Sequence, residues 1–269
     1  MTSINLRESW NRNTYLYHKK LRWSYDDVIY SPWGSTEDKY RLLGDDLRGK
    51  RILEVGCGGG QATIVFAKRG AIATGLDIAD EQIKRAREMA RREGVQAEFF
   101  QSDAEDLSRI PSNSQDIVFS SNVFDYVENL DRCFREVARV LVEGGIFVFC
   151  VLHPFYRFCR PLLPEPETKG PLAREHTREL ISYHKRGRFD FEWIWGEEGE
   201  RIPMYIFRRT AADFFNTLVE AGFIVDRMIE PEPDPEVMNK PWLPFHPYEH
   251  VELVPDNLVF KCHKPTSLE

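Results

Sequence analysis

Seven consecutive residues, Glu54-Val-Gly-Cys-Gly-Gly-Gly60, concentrate the chain's capacity for chemistry. Glycine lets the backbone bend tightly, and it lets a ligand approach a helix N-terminus without meeting a Cβ atom. In a doubly wound sheet such a loop usually takes a nucleotide-containing cofactor. The letters exclude two common versions. Counting from Gly56, Gln61 stands where the dinucleotide fingerprint needs the glycine that lets helix and strand pack closely. The P-loop fails too, because no Gly-Lys-Ser/Thr follows. From Glu54 onward no lysine or arginine appears before Lys68, and Glu54 sits two residues ahead of the first glycine. An acid beside the loop suits a ligand with positive charge better than it suits a diphosphate.

The flanking elements must hold this loop in place. Arg51 to Gly56 reads as a short apolar strand, and Gln61 to Arg69 as a helix ended by Gly70. Ala71 to Asp77 is a second strand. Asp80 is placed to cap the next helix, whose Ile83, Ala86, Met89 and Ala90 share one face until Gly94. Strands follow at Ala97–Asp103 and Asp116–Ser121, then a helix from Asn129 to Leu141. Glu143-Gly-Gly145 turns into the most apolar strand, Ile146–Leu152. Alternating strands and helices predict a parallel sheet covered on both faces. Regularity then lapses, with prolines at 154, 161, 164, 166 and 171, although Phe189, Phe191, Trp193 and Trp195 keep a period of two. Thr210-Ala-Ala-Asp213 has the form of a capping box before a helix, and strands follow at Phe223–Ile229 and Leu258–Cys262, with a proline-rich loop from Pro231 to Pro255 between them.

Four segments together resemble the class I S-adenosylmethionine-dependent methyltransferases, of the kind that act on small molecules. Ile52-Leu-Glu-Val-Gly-Cys-Gly-Gly-Gly60 is similar to that family's first motif, and Gly75-Leu-Asp77-Ile78 to its second-strand acidic motif. Gln101-Ser-Asp103-Ala104 is similar to the third, and Leu141-Val-Glu-Gly-Gly-Ile-Phe147 to the loop entering the fifth strand. The resemblance spans roughly residues 45 to 153, plus the final helix and two strands. It implies a Rossmann-like, doubly wound α/β sheet of seven strands, mainly parallel with the last strand antiparallel. It also implies a cofactor, S-adenosylmethionine. Asp77 would accept from both ribose hydroxyls, a bidentate task for a carboxylate. Asp103 would accept from the adenine amino group, Ala104 would offer a backbone amide, and Ile78 would pack on the adenine. Glu54 and the Gly56, Cys57, Gly58 and Gly60 turn would accommodate the amino-acid moiety. Tyr25 and Trp33, upstream, are candidates to close over the cofactor, and Asn122 is a candidate contact just past strand four, as is Asp125.

Methyl transfer from a sulfonium is an in-line displacement that mainly requires alignment and exclusion of water. Oxygen and acidic-carbon acceptors also benefit from a base. His153, directly after the fifth strand at the ligand-binding edge, is the candidate base. A hydrogen-bonded histidine that orients the following segment is the competing reading, and the sequence leaves both open. No Asn-Pro-Pro-Tyr or Asp-Pro-Pro-Tyr follows strand four, which argues against amino-group methylation of nucleic acids or protein glutamine. The aromatic stripe at 189–195 reads as a lid packed on its base, with an acceptor pocket as the alternative. Arg157, Arg160, Arg208 and Arg209 read as solvated surface or as clamps for an acidic acceptor.

The expected organisation is a single catalytic domain: an N-terminal cap (1–50), a cofactor-binding core (51–153), an inserted substrate lid (154–207) and the remainder of the sheet (208–269). With 269 residues, 42% of them hydrophobic, a sizeable core is available. A net charge of −7 gives no whole-chain attraction to phosphate backbones or anionic lipid and disfavours a dedicated nucleic-acid binder. No apolar run reaches membrane-spanning length, and Met1 to Asn13 lacks a signal-peptide character. Five scattered cysteines without C-x-x-C spacing speak against disulfides or a metal site and for reduced thiols in the cytoplasm. The expected reaction is methylation of oxygen or carbon on a small hydrophobic or aromatic metabolite. The rivals are an RNA or protein side-chain acceptor, and a non-catalytic cofactor-binding regulatory module. Homo-oligomerisation is left open.

Overall fold

The structure, a computed structural model, describes residues 4–20, 24–31, 33–159, 174–175, 182–195, 200–238 and 253–267. In chain order the elements are α1 (Leu6–Lys20), β1 (Ile29–Ser31), β2 (Ser35–Thr36), α2 (Glu37–Tyr40), β3 (Arg51–Val55), α3 (Gln61–Lys68) and β4 (Ile72–Asp77). Then come α4 (Asp80–Arg92), β5 (Glu98–Gln101), β6 (Gln115–Ser121), α5 (Leu130–Val140), β7 (Leu141–Leu152), α6 (Pro154–Cys159) and β8 (Arg174–Glu175). β9 (Gly187–Trp195), β10 (Glu200–Arg208), α7 (Ala211–Glu220), β11 (Ile224–Ile229), α8 (Pro235–Met238) and β12 (Asn257–His263) complete the chain.

The main sheet has seven strands in the order β11-β12-β7-β6-β3-β4-β5. β12 runs antiparallel to both β7 and β11, and the other pairings are parallel. This is the expected doubly wound sheet. Pleating sends neighbouring residues to opposite faces, so Leu53, Val118, Phe147, Phe149 and Phe260 fall in one core cluster while Ile52, Ile117, Phe119, Val148 and Val259 fall in the other. Phe124, Phe134, Phe147 and Phe149 meet edge-on or tilted at 5.0–5.9 Å. Because β4 lies on one side of β3 and β6 on the other, chain order reverses there. Open α/β sheets form their ligand crevice at the carboxyl ends of the strands flanking such a reversal.

Several local expectations need correction. Ala79, not Asp80, occupies the N-cap of α4; Asp80 is the first helical residue and its carboxylate is held by Arg7 at 2.6 Å. The Gly144-Gly145 turn is a bulge inside β7: Leu141 pairs with Gln115, and Ile146 next pairs with Ile117. The capping box at Thr210 and Asp213 forms as read.

Sequence periodicity did not disclose α1, α6 or β10. β10 pairs antiparallel with β9 from Glu200↔Trp195 to Arg208↔Gly187 and forms an edge of a separate three-stranded sheet. Pro203 interrupts its pattern but is tolerated because an edge strand has one free side, where its carbonyl accepts from Ser9 Oγ at 2.6 Å. Phe189, Phe191 and Trp193 pack with Leu6 and Trp10 of α1, which makes the stripe the core of this hairpin. Among the described residues no helix is long and apolar enough to cross a membrane.

Candidate active site at the carboxyl edge of the sheet

β3 ends in the glycine loop. Gly56 has φ +73°, and a Cβ there would lie 2.2 Å from Val123 Cγ2. A Cβ on Gly60 would sit 2.9 Å from Ala86 Cβ and 3.1 Å from the Phe99 ring. Both glycines therefore admit protein packing. Gly58 differs: a Cβ built on it would meet only Gln82 Oε1, at 3.8 Å, so the tip of the loop keeps an open side. Cys57 N–H donates to Leu76 O at 2.8 Å, which ties the loop to β4, and its side chain turns into the α3–α4 cluster.

The two strand-end acids are neighbours. Asp77 pairs with Gln101 across β4 and β5, and Ser102 N–H donates to Asp77 O at 3.0 Å, which brings Asp103 beside it. Asp77 Oδ2 accepts from Gly58 N–H and Oδ1 from Ala79 N–H, each at 2.9 Å. Those bonds fix the carboxylate against the loop, and each oxygen retains a second lone pair. Burial pushes its pKa up to about 6 against the pull of the N–H donors. Asp103 Oδ1 accepts from Glu105 N–H at 2.9 Å. Ala104 packs against the main core, and its carbonyl accepts from Cys133 Sγ. Ile78 is half-buried between the two acids.

Glu54 lies beneath the loop, buried, with Oε2 accepting from both N–H (2.7 Å) and Oγ1 of Thr63 on α3. Oε1 has no partner among the described residues, and burial raises the pKa to about 8. Lys68, the first base after the loop, is bound to Glu93 at 2.5 Å. A carboxyl poised below, a carboxylate pair at the rim and no cation on the loop fit a cationic nucleoside, and do not fit a polyphosphate.

Three upstream or downstream candidates are placed differently from expectation. Tyr25 packs in the groove between α3 and α4, 5.9 Å from Lys68 Nζ, toward the end of those helices remote from the loop. Trp33 is buried with Nε1 donating to Asp256, beside the start of β12. That is three strand positions from β3, or about 14 Å at 4.7–4.9 Å per strand. Neither closes over the loop. His153 is buried with both ring nitrogens engaged: Nδ1 accepts from Phe155 N–H at 3.1 Å, and Nε2 meets Glu230 Oε1 at 3.0 Å. The lone pair a base would use is thus taken by the first turn of α6. Burial lowers its pKa, opposed by Glu230. Both bonds tie His153 to the segments that follow β7 and β11.

Asn122 adopts φ +57°; its Oδ1 accepts from Asn257 Nδ2 at 3.1 Å, which ties the loop after β6 to β12. Beyond the same strand end, Asp125, Pro154, Tyr183, Phe207, Arg208 and Arg209 line a small cleft. Asp125 Oδ2 accepts from Leu152 N–H, and its carbonyl from Phe207 N–H. Arg209 is no free clamp: its guanidinium donates to the carbonyls of Phe124, Val127 and Glu128. Arg160 lies outside the described residues, as do the side chains of Arg157 and Trp195. Sequence reasoning missed Val123, Asp256 and Glu230, each of which acts through a partner distant in the chain.

Residues 53–149 match the family model described as "Methyltransferase domain". Over this stretch the chain is similar to that family. The S-adenosylmethionine-dependent methyltransferase from Mesorhizobium loti superposes on 87% of this chain and all of that one, with a TM-score of 0.63 at 23% identity. A protein of Haemophilus influenzae named only as uncharacterised is 25% identical over 190 residues, 69% of this chain and 72% of that one. The ubiquinone biosynthesis O-methyltransferase of Bordetella avium is 32% identical over 111 residues, 41% of this chain. This chain thus spans about half the length of that relative, 46%.

Proposed function

We propose that this methyltransferase moves a methyl group from S-adenosylmethionine to oxygen or carbon of a small hydrophobic or aromatic metabolite in the cytoplasm. The observation that carries the reading is the pairing of Asp77 with Gly58 at the loop's open tip, next to Asp103. When bound, the cofactor supplies a methyl group on a cationic sulfur. Asp77 holds the ribose hydroxyls with its remaining lone pairs, Asp103 and the Ala104 amide read the adenine, and Ile78 packs on its face. Glu54 would lie beneath the cationic end of the cofactor, with Oε2 held by Thr63.

The acceptor enters the cleft at the ends of β6 and β7. Pro154, Tyr183 and Phe207 give it an apolar wall, and the β9–β10 hairpin with α6 serves as lid while α1 serves as cap. That apolar wall and the net charge of −7 favour a small metabolite over RNA. His153 keeps the lid's first turn in register through Phe155 and Glu230.

Calorimetry with S-adenosylmethionine and S-adenosylhomocysteine tests the donor half, and product masses from a phenol and enolate library test the acceptor half. Asp77→Ala is expected to weaken S-adenosylhomocysteine binding at least tenfold, since a hydrogen bond to a charged group contributes about 1.5–3 kcal/mol. No uptake of either compound by the folded protein removes the reading, and uptake without turnover by any acceptor leaves a cofactor-binding module instead.

A further inference from the structure

Asn13 is fully buried, yet neither its Nδ2 nor its Oδ1 has a hydrogen-bond partner. Among the described residues it is the buried side chain with both a donor and an acceptor unmet. Buried amides are nearly always paired, so an orphan of this kind calls for an explanation.

Its helix supplies one. α1 is pinned at the end of β4, where Arg7 binds Asp80 and Asn11 Oδ1 accepts from Glu81 N–H at 3.0 Å. It is pinned again beyond β6, where Trp10 meets Tyr126 edge-on at 5.4 Å. Between β4 and β6 lies β3 with its glycine loop. Downstream, the chain returns past the first turn of α3, where Gln61 Nε2 donates to the carbonyls of Ser24 and Asp27. The first half of α1 therefore lies between the end of β4, on its Arg7 and Asn11 flank, and the segment after β6, on its Trp10 flank, above the end of β3. Asn13, one turn past Trp10, lies on the flank of Ser9 and Trp10, the one opposite Arg7 and Asn11.

We propose that Asn13 recognises the amino-acid end of the methyl donor, with Nδ2 donating to its carboxylate and Oδ1 accepting from its ammonium group. This rests on the donor reading given under the proposed function. A side-chain amide offers one donor end and one acceptor end, and a zwitterion is the ligand group that satisfies both at once. The nucleoside half is taken by Asp77 and Asp103 at the β4–β5 side, which leaves the amino-acid half for the β3–β6 side.

The test compares two ligands that differ only in that end. S-adenosylhomocysteine carries the zwitterion, and 5′-methylthioadenosine ends in a methyl group. Asn13→Ala is expected to cut affinity for the former at least tenfold and to leave the latter within twofold. Asn13→Leu, similar in size, is expected to raise the melting temperature by removing unpaired polar atoms while showing the same selective loss, and it carries the test if the alanine variant does not fold. Equal losses for both ligands, or no loss for either, overturn the assignment. A wild-type protein that binds neither ligand overturns the donor reading itself, which is a separate result.

Discussion

Two carboxyls of the site are held at elevated pKa by burial, Glu54 at about 8 and Asp77 at about 6. The unfolded chain ionises such groups near pH 4, whereas the native state keeps their protons until higher pH. Between those values the native state binds more protons, so stability falls as pH rises. For Glu54 the window runs from about pH 4.5 to about 8. Glu54→Gln keeps an acceptor for Thr63 and removes the titration. The melting temperature of the wild type is expected to drop more between pH 5 and pH 8 than that of the variant, by thermal scans in matched buffers. Equal drops would show that Glu54 is already ionised at neutral pH. The site is thus built at some expense to stability, a common property of positions shaped for a ligand.

At the scale of elements, the β9–β10 hairpin and α1 form a unit of their own. Trp10 meets Trp193 edge-on at 5.3 Å as well as Tyr126, and Ser9 binds Pro203 O. Few of these contacts reach the central strands. Trp10→Ala is expected to lower hydrogen-exchange protection in α1, β9 and β10 while β3, β6 and β7 keep theirs, because local opening draws on local packing. Uniform loss would mean that the cap and the sheet unfold together. The same division explains what was legible in the sequence. β3, α3, β4, α4, β5, β6, α5 and β7 carry strong local periodicity, and the capping box of α7 is a four-residue signal, so the main sheet could be read directly. α1 carries polar Asn11, Asn13 and Thr14 on faces that are half- or fully buried by tertiary contact, and β10 contains a proline, so local pattern hides both. Asp77 and Asp103 were legible because each ends a strand. Tyr25 and Trp33 were misplaced because closeness to the loop in sequence says nothing about which side of the sheet the returning chain takes. The engagement of His153 depends on Glu230, 77 residues away.

For the molecule as a whole, the phenylalanine cluster around β7 joins α5, α7 and β12 into one core. Phe149 is fully buried and stacks on Phe260 at 5.0 Å. Phe149→Ala is expected to cost about 3–5 kcal/mol in urea unfolding, whereas Phe155→Ala, 43% exposed, is expected to stay within about 0.5 kcal/mol. Comparable costs would place the core elsewhere. The position of β12 has a temporal consequence. Residues 257–263 supply an inner rung between β7 and β11, so a growing chain emerging from the ribosome carries a raw margin at β7 until more than a hundred later residues have been added, and a second at β11 once that strand is made. Until then each open margin can adhere to any extended peptide nearby, and protection comes only when this late segment slides between them.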